Sequence, residues 1–472
     1  MLLVFMLATL LKRPAFSVNT LSLALIAVLV INPVSILSVG FWLSFLAVVI
    51  ITLVSGARVN ASQTKITAWL QGVRIQWLIA LGMLPLGVLL FQQGSLISPV
   101  ANMLVIPLVG FIIVPLALLS SLMSIISTGM SLWMFNQVSE LLSYVWILLE
   151  WFSQTPLSSW QRSSIPYLQS LFALLGTVLL LMPKGVPLRY SGFILLLPML
   201  LYKYPRPDEG GFWLSVIDVG QGLSVLVQTK DKSLLYDTGA GLGSSFDIGE
   251  RVVLPYLNYI GLKQLDILMV SHGDNDHAGG MDSVMRLINV PQLLAEKTLV
   301  DEKAREGSDD MACAAGQSWI WNGVNFEVLH PDLGYKKLNN RSCVLKVWNK
   351  HYSLLIPGDI EARAEKSMLM NYSERLHADV LIVPHHGSNT SSSDHWLDML
   401  KPQLSIVSAG YKNRFGHPTN KVLDRYLERG SRVVNTAKAG MVQVKLEDSS
   451  ADGGIEAVQH RKVSTHYWNH RL

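Results

Sequence analysis

Leu265-Asp266-Ile267-Leu268-Met269-Val270-Ser271 runs straight into His272-Gly273-Asp274-Asn275-Asp276-His277, and Ala278-Gly279-Gly280 follows. The apolar run predicts a buried strand. Four ligand-type side chains, His272, Asp274, Asp276 and His277, then stand within six residues of its end. A loop anchored by a buried strand can point them at one spot, and imidazole with carboxylate suits a borderline or hard divalent cation. Gly279 and Gly280 are read as a tight turn into a helix. One histidine alone would be an ordinary surface residue; the whole cluster points to a metal centre.

Working outward, two more apolar runs end in the same chemistry. Tyr352–Pro357 leads to Gly358-Asp359, a carboxylate able to bridge two ions. Val380–Pro384 leads to His385-His386-Gly387-Ser388, and His417 follows the run Leu404–Ser408. His385, His386 and His417 compete for the remaining ligand or acid role. Asp218, in a glycine turn, is a candidate for orienting a ligand histidine, and Asp237 is a second supporting carboxylate. Read alone, each isolated Gly-Asp or loop histidine is unremarkable.

Further short runs at Phe212–Asp218, Ser224–Gln228, Ser233–Tyr236 and Val324–Leu329 alternate with turns and with helical stretches such as Met281–Ile288 and Ile360–Met370. That pattern predicts sheets covered by helices. Lys203–Gly211 (KYPRPDEGG) marks a boundary, so the expected divisions are 1–202, a linker 203–211, a second domain 212–447 and a weakly ordered tail 448–472. Cys313 and Cys343 lack metal-site spacing and are read as ordinary thiols, with one bridge as the alternative in an oxidising compartment. Lys336, Lys337, Arg341, Lys346 and Lys350 are either phosphate contacts or a solvated face.

The first half is different material. Residues 1–206 hold ten Lys or Arg, two acidic residues (Glu140 and Glu150) and no histidine, whereas the rest holds 28 basic and 32 acidic residues with all twelve histidines. A span needs roughly 20 mostly apolar residues, and Val34–Val54 has no charge at all. Ser17–Ile31, Ile75–Phe91, Val100–Ile126, Met130–Phe152, Ile165–Met182 and Tyr190–Tyr202 bring the expectation to about seven spans. Pro107 and Pro115 predict kinked backbone at membrane depth. Asn136, Glu140, Ser143 and Glu150 fall within roughly 80° of helical arc, which makes Asn136 and Glu140 pathway candidates. The alternatives are an interfacial helix or an interhelical contact. Lys12, Arg13, Arg58, Lys65, Arg74, Lys184 and Arg189 fall on one set of alternate loops and Arg162 on the other. The positive-inside rule then puts the second half on the outer face.

HGDNDHAGG resembles the HxHxDH signature of the metallo-β-lactamase superfamily, with Asp274 in place of the second histidine. IDVGQGLSVLVQ (217–228), LLYDTGAG (234–241), LLIPGDIE (354–361), VLIVPHHGS (380–388) and FGHP (415–418) resemble the C-terminal domain of ComEC-type DNA-internalisation competence proteins. INPVSILSVGFWLSFLAVV (31–49) and SPVANMLVIPLVGFIIVPL (98–116) resemble that family's membrane competence domain. The resemblance implies an α-helical membrane bundle followed by an αββα metallo-β-lactamase sandwich, in the bacterial cytoplasmic membrane. It implies a channel for one DNA strand and a nuclease that degrades the other. Family members begin with further helices and an oligonucleotide-binding-like domain, so this chain is expected to be truncated relative to them.

The resemblance also implies two divalent ions, Mn²⁺ or Mg²⁺ favoured and Zn²⁺ accommodated. His272 and Asp274 would hold one, Asp276 and His277 the other, with Asp359 between them. Asp276, Asp359 and His386 are the expected catalytic set. Expected partners are DNA, lipid, other competence proteins and further copies of the chain. Rival readings are a membrane-anchored hydrolase of another ester class, a DNA channel subunit with an idle hydrolase domain, and a non-catalytic membrane anchor.

Overall fold

The computed structural model describes residues 2–12, 17–56, 65–183, 185–243, 246–303, 305, 308–332, 334–447 and 454–465. Arg13, Arg58, Lys184 and most of the 448–472 tail lie outside the described residues. The chain divides into two units, residues 1–204 with 259–261, and residues 205–258 with 262–472.

The first unit is helical. Helices cover Leu2–Leu10, Val18–Ile31, Val39–Gly56, Lys65–Phe91, Ser98–Leu108, Val114–Met123, Thr128–Ser153, Tyr167–Leu181 and Gly192–Leu201. A two-residue pair, β1 (Gln93–Gly94) with β2 (Trp160–Gln161), ties two of the connections. Among the described residues, Gln71–Phe91 and Ser98–Met123 are long and apolar enough to cross a membrane, and four further apolar helices are shorter. The expected span Val34–Val54 is not continuous: Pro33 opens a 3-10 turn over Pro33–Leu37, and the helix begins at Val39. Proline removes an N–H and crowds the carbonyl four residues back. Between Pro107 and Pro115 the chain accommodates this with a π turn at Val109–Ile113 rather than a break.

Large apolar side chains stand exposed across this unit, including Phe111 at 82 %, Ile125 and Trp146. A surface facing water seldom carries so many. Thr128–Ser153 buries Ser131, Val138, Val145 and Phe152, seven apart. Asn136, Glu140, Ser143 and Glu150 all lie exposed, and Glu140 accepts the Tyr144 hydroxyl at 3.3 Å.

The second unit is a sandwich of two mixed sheets. One contains β3 (Phe212–Val216), β4 (Val225–Gln228), β5 (Ser233–Tyr236), β6 (Ile267–Val270), β7 (Gln292–Ala295), β8 (Met311–Ala312), β16 (Val442–Leu446) and β17 (Ala457–Gln459), in the order β17-β16-β3-β4-β5-β6-β7-β8. The other contains β9 (Ser318–Trp321), β10 (Val324–His330), β11 (Val344–Trp348), β12 (Ser353–Ile356), β13 (Val380–Ile382), β14 (Leu404–Val407) and β15 (Arg432–Asn435), ordered β15-β14-β13-β12-β11-β10-β9. Each sheet is parallel in one half, β5 to β8 and β12 to β15, and antiparallel in the other.

Alternation explains the layers. Leu234, Tyr236, Ile267 and Met269 share a core with Leu345, Leu354, Ile356, Val380 and Ile382 of the facing sheet. The alternate residues Leu355 and Leu381 instead join Ala364, Met368, Trp396, Leu397, Val422 and Tyr426 of covering helices. Each such side chain contributes about 1.5–3 kcal/mol when fully buried, so the strand ends that emerge from this core are held stiffly.

Within the tail, Ala457–Gln459 forms β17 and pairs antiparallel with β16. One expectation is corrected. Cys313 and Cys343 are not free thiols but a disulfide, with Cα atoms 5.9 Å apart. Cys313 follows β8 in one sheet and Cys343 precedes β11 in the other, a proximity that their spacing of 30 residues does not reveal. Closing a loop of that length stabilises a fold by on the order of 3–4 kcal/mol. Cys313→Ser is therefore expected to lower the unfolding free energy of this unit by that amount in urea. Thiol titration of the unfolded, unreduced parent should find no reactive cysteine; two reactive thiols would contradict the bridge.

Candidate metal centre

The site is built from the carboxyl ends of parallel strands in both sheets. Tyr236 and Met269 are register partners, which places Asp237 beside Ser271. Asp237 has a left-handed φ of 59° and is fully buried. Its carboxylate accepts the Ser271 backbone N–H at 2.7 Å, the Ser271 hydroxyl at 2.8 Å and His277 Nδ1–H at 2.7 Å. Thr238 adds two hydrogen bonds to the His277 carbonyl. His277 Nε2 is thereby fixed to face 3.2 Å from Asp359 Oδ1 and 3.3 Å from His386 Nε2.

Backbone approach explains the glycines. Gly279 and Gly280 lead into the helix Met281–Leu287 with negative φ, so close approach rather than a left-handed backbone requires glycine. A Cβ on Gly279 would collide with the backbone nitrogen of Gly241, and one on Gly280 would lie 2.6 Å from the Thr238 carbonyl oxygen. Gly358 has φ 59°, and a Cβ there would lie 2.9 Å from Ser342 Cβ. Glycine at that position lets Asp359 enter the cluster.

Two sets of ligand atoms converge: His272, His277 and Asp359, and Asp276, His277 and His386. His272 Nδ1 lies 3.0 Å from the Ser271 hydroxyl, while its buried Nε2 lies 3.3 Å from Asp274 Oδ2 without forming a hydrogen bond. A buried, unpartnered nitrogen is costly unless a ligand satisfies it. His386 donates Nδ1–H to the Ser408 carbonyl at 2.8 Å, so its Nε2 faces Asp276 at 3.3 Å. Asp359 Oδ2 is 3.6 Å from His386 Nε2 and 3.7 Å from His385 Nε2. His385 and His386 both adopt left-handed φ, 50° and 54°, which costs on the order of 1–3 kcal/mol each and is typical of functional turns.

The grouping differs from the expected one. His277 belongs to both sets because Asp237 aims it at their centre. The half-exposed Asp274 carboxylate lies 3.3 Å from His272 Nε2 and, like His385 and His417, falls outside the two sets. The His417 ring centroid is 6.0 Å from that of His385. Asp218 does not orient a histidine; it pairs with Arg461 at 2.8 Å. Lys337 and Arg341 pair with Glu361 and Glu296, and Lys346 donates to the Arg375 carbonyl, so these three cations are committed within the protein. Reading the sequence missed Ser271 and Ser342. Ser342 accepts the Asp359 N–H at 3.1 Å and lies 3.4 Å from His272 Nδ1. Serine before a ligand run gives no signal without the fold.

Electrostatics sharpen the cluster. Burial opposes ionisation of Asp276, but the hydrogen bond from His386 and the charges of His277 and His386 hold it down at about 2. Asp359 likewise stays well below the usual carboxylate range, the His277 and His386 charges outweighing burial. Burial lowers the His277 pKa, yet Asp359 and then Asp237 raise it well above 6.5. The carboxylates thus demand positive charge, which protons on imidazole supply when no ion does. Imidazole and carboxylate donors with one orphaned nitrogen fit a divalent metal.

Residues 1–187 match the Competence protein family model, and residues 217–411 match the metallo-beta-lactamase superfamily model. The chain thus joins a region similar to competence proteins to a region with the metallo-β-lactamase fold. Competence protein ComA of Neisseria gonorrhoeae is 33 % identical over 94 % of this chain and 60 % of its own length. ComE operon protein 3 of Bacillus subtilis (strain 168) is 29 % identical over 94 % of this chain and 60 % of its own. The chain thus spans about 60 % of the length of these relatives. The metallo-beta-lactamase fold protein YhfI from Bacillus subtilis aligns with 48 % of this chain and 96 % of its own, at 12 % identity and a TM-score of 0.35. The metallo-β-lactamase domain is a metal-dependent hydrolase fold, as the sequence resemblance anticipates.

A raised His277 pKa means that an entering metal competes with a proton. Affinity for Mn²⁺ is therefore expected to rise with pH above 6.5, by up to about tenfold per unit for each displaced proton. In the metal-free chain the same group contributes stability that is complete below 6.5 and is lost as pH rises through its higher folded pKa. Asp237→Asn should cut metal affinity about ten- to hundredfold and flatten this pH dependence. Calorimetric titration at several pH values checks both; a pH-independent affinity would contradict the arrangement.

Proposed function

We propose that this protein serves DNA uptake across the bacterial cytoplasmic membrane during natural transformation, its metallo-β-lactamase domain cutting the phosphodiester bonds of the strand that is not imported. The single observation that carries the hydrolytic part is the convergence of His272, His277, Asp276, Asp359 and His386 at the strand ends, in a chain whose other half matches a competence model.

His272, His277 and Asp359 would hold one divalent ion and Asp276 and His386 a second, with Asp359 shared and Asp274 available at the rim. Bound ions would supply Lewis-acid charge for the phosphodiester oxygens and a nucleophile at neutral pH. The carboxylate-rich set favours Mn²⁺ or Mg²⁺ and accommodates Zn²⁺. Asp237, Ser271 and Ser342 orient the ligating groups. His385 and His417, whose pKa values burial lowers, are neutral near pH 7 and are placed to take or return a proton beside the substrate.

Exposed apolar side chains and two span-length helices support a multi-pass membrane unit. The Cys313–Cys343 disulfide supports an outer-face location for the hydrolase, since such bridges persist in oxidising compartments. The loop charges favour the same face. DNA, lipid, other competence proteins and further copies of the chain are the proposed partners.

The full chain in detergent, supplied with Mn²⁺, Mg²⁺ or Zn²⁺, is expected to cleave DNA. Asp359→Ala should lower the rate roughly a hundredfold or more and reduce bound metal, with the circular dichroism spectrum retained. Hydrolysis of a small ester but never of DNA would replace the substrate class; no hydrolysis of either would make the domain an idle one. A fluorescent reporter active only in the cytoplasm, fused after residue 472, should stay dark. A bright signal would reverse the orientation.

A further inference from the structure

The loop Gly410-Tyr411-Lys412-Asn413-Arg414-Phe415-Gly416-His417-Pro418 follows β14 and reaches the metal cluster. Thr419 N–H bonds the Gly387 carbonyl at 3.1 Å, and the His417 ring lies 6.0 Å from His385. The loop has a fixed shape. Asn413 donates to the Gly410 carbonyl at 3.0 Å and to the His417 carbonyl at 2.5 Å, and accepts the N–H groups of Phe415 at 3.2 Å and His417 at 3.0 Å.

What this frame displays is an alternation of rings and cations. Tyr411 and Phe415 are 47 % and 51 % exposed. Lys412 Nζ lies 5.4 Å from the Tyr411 ring centroid, and Arg414 Cζ lies 4.8 Å from that of Phe415. Phe415 in turn stacks on His417, 14° from parallel. Among the described residues, neither Lys412 nor Arg414 has a carboxylate partner, unlike Lys337 and Arg341. The cluster itself exposes Asp274 and Asp276 to a polyanion that they repel. Cations without a carboxylate partner, on the loop that carries His417 to the His385 ring, offset that repulsion.

We propose that this loop grips a single nucleic-acid strand as it enters the cluster, Lys412 and Arg414 on phosphates and Phe415, with Tyr411, beneath unpaired bases. Phosphate contacts draw each cation off its ring and free the ring face for stacking. Duplex DNA, whose bases are already stacked, lacks the second contact. The inference rests on the reading of this site as a DNA hydrolase and adds how the strand is held.

The test is fluorescence anisotropy of a labelled oligothymidylate with the full chain in detergent, without divalent metal so that no cleavage intervenes. Phe415→Ala should weaken binding roughly tenfold, the scale of one lost base stack, and Phe415→Tyr should restore most of it. Lys412→Ala with Arg414→Ala should reduce the slope of log affinity against log salt by about 1.4, for two single-strand phosphates. Circular dichroism and separately measured metal content should match the parent. Unchanged binding in these variants, or equal affinity of the parent for duplex, would overturn the proposal. Loop-dependent strand binding by a parent that cleaves no DNA with any metal would instead leave the grip standing and remove the hydrolase reading.

Discussion

The Asp237 carboxylate organises the hydrolase unit. It sits at the end of one buried parallel strand, accepts two hydrogen bonds from Ser271 at the end of the next, and holds His277 Nδ1. Burying that carboxylate would cost several kcal/mol without such partners. With them it converts strand register into ligand orientation: the direction of His277 Nε2 follows from the pairing of Tyr236 with Met269.

The second sheet completes what the first begins. The parallel strands β12, β13 and β14 end at Asp359, at His385-His386 and at the Ser408 carbonyl that fixes His386. The carboxyl ends of parallel strands are the usual place for an α/β site; here the ends of two parallel sets, one from each sheet, supply one cluster. The Cys313–Cys343 bridge ties the sheets one residue from Ser342, which touches both His272 and Asp359. The staple of the sandwich and the support of the cluster are thus continuous along the chain.

The ligand-bearing strand ends were legible in the sequence because each followed a run apolar enough to be buried, as with Ile267–Val270 before His272. Strands such as Val344–Trp348 and Arg432–Asn435 were not, because Lys346 and Arg432 interrupt short runs whose pairing is settled only by neighbours. The residues that converge were legible, their grouping was not: the aim of His277 depends on Asp237, forty residues away. Asp218, in its glycine turn, was expected to orient a histidine yet meets Arg461, since a local motif cannot specify a partner 243 residues distant. In the first unit, composition marked the apolar segments, while Pro33 moved one helix start and a π turn absorbed two prolines.

The proposed pair of divalent ions would be held by His272, His277, Asp359, Asp276 and His386. Electron paramagnetic resonance of the full chain loaded with Mn²⁺ tests it most directly. Two neighbouring ions should give a spin-coupled signal that collapses to isolated Mn²⁺ in Asp359→Ala. An uncoupled signal in the parent, unchanged by that substitution, would contradict it.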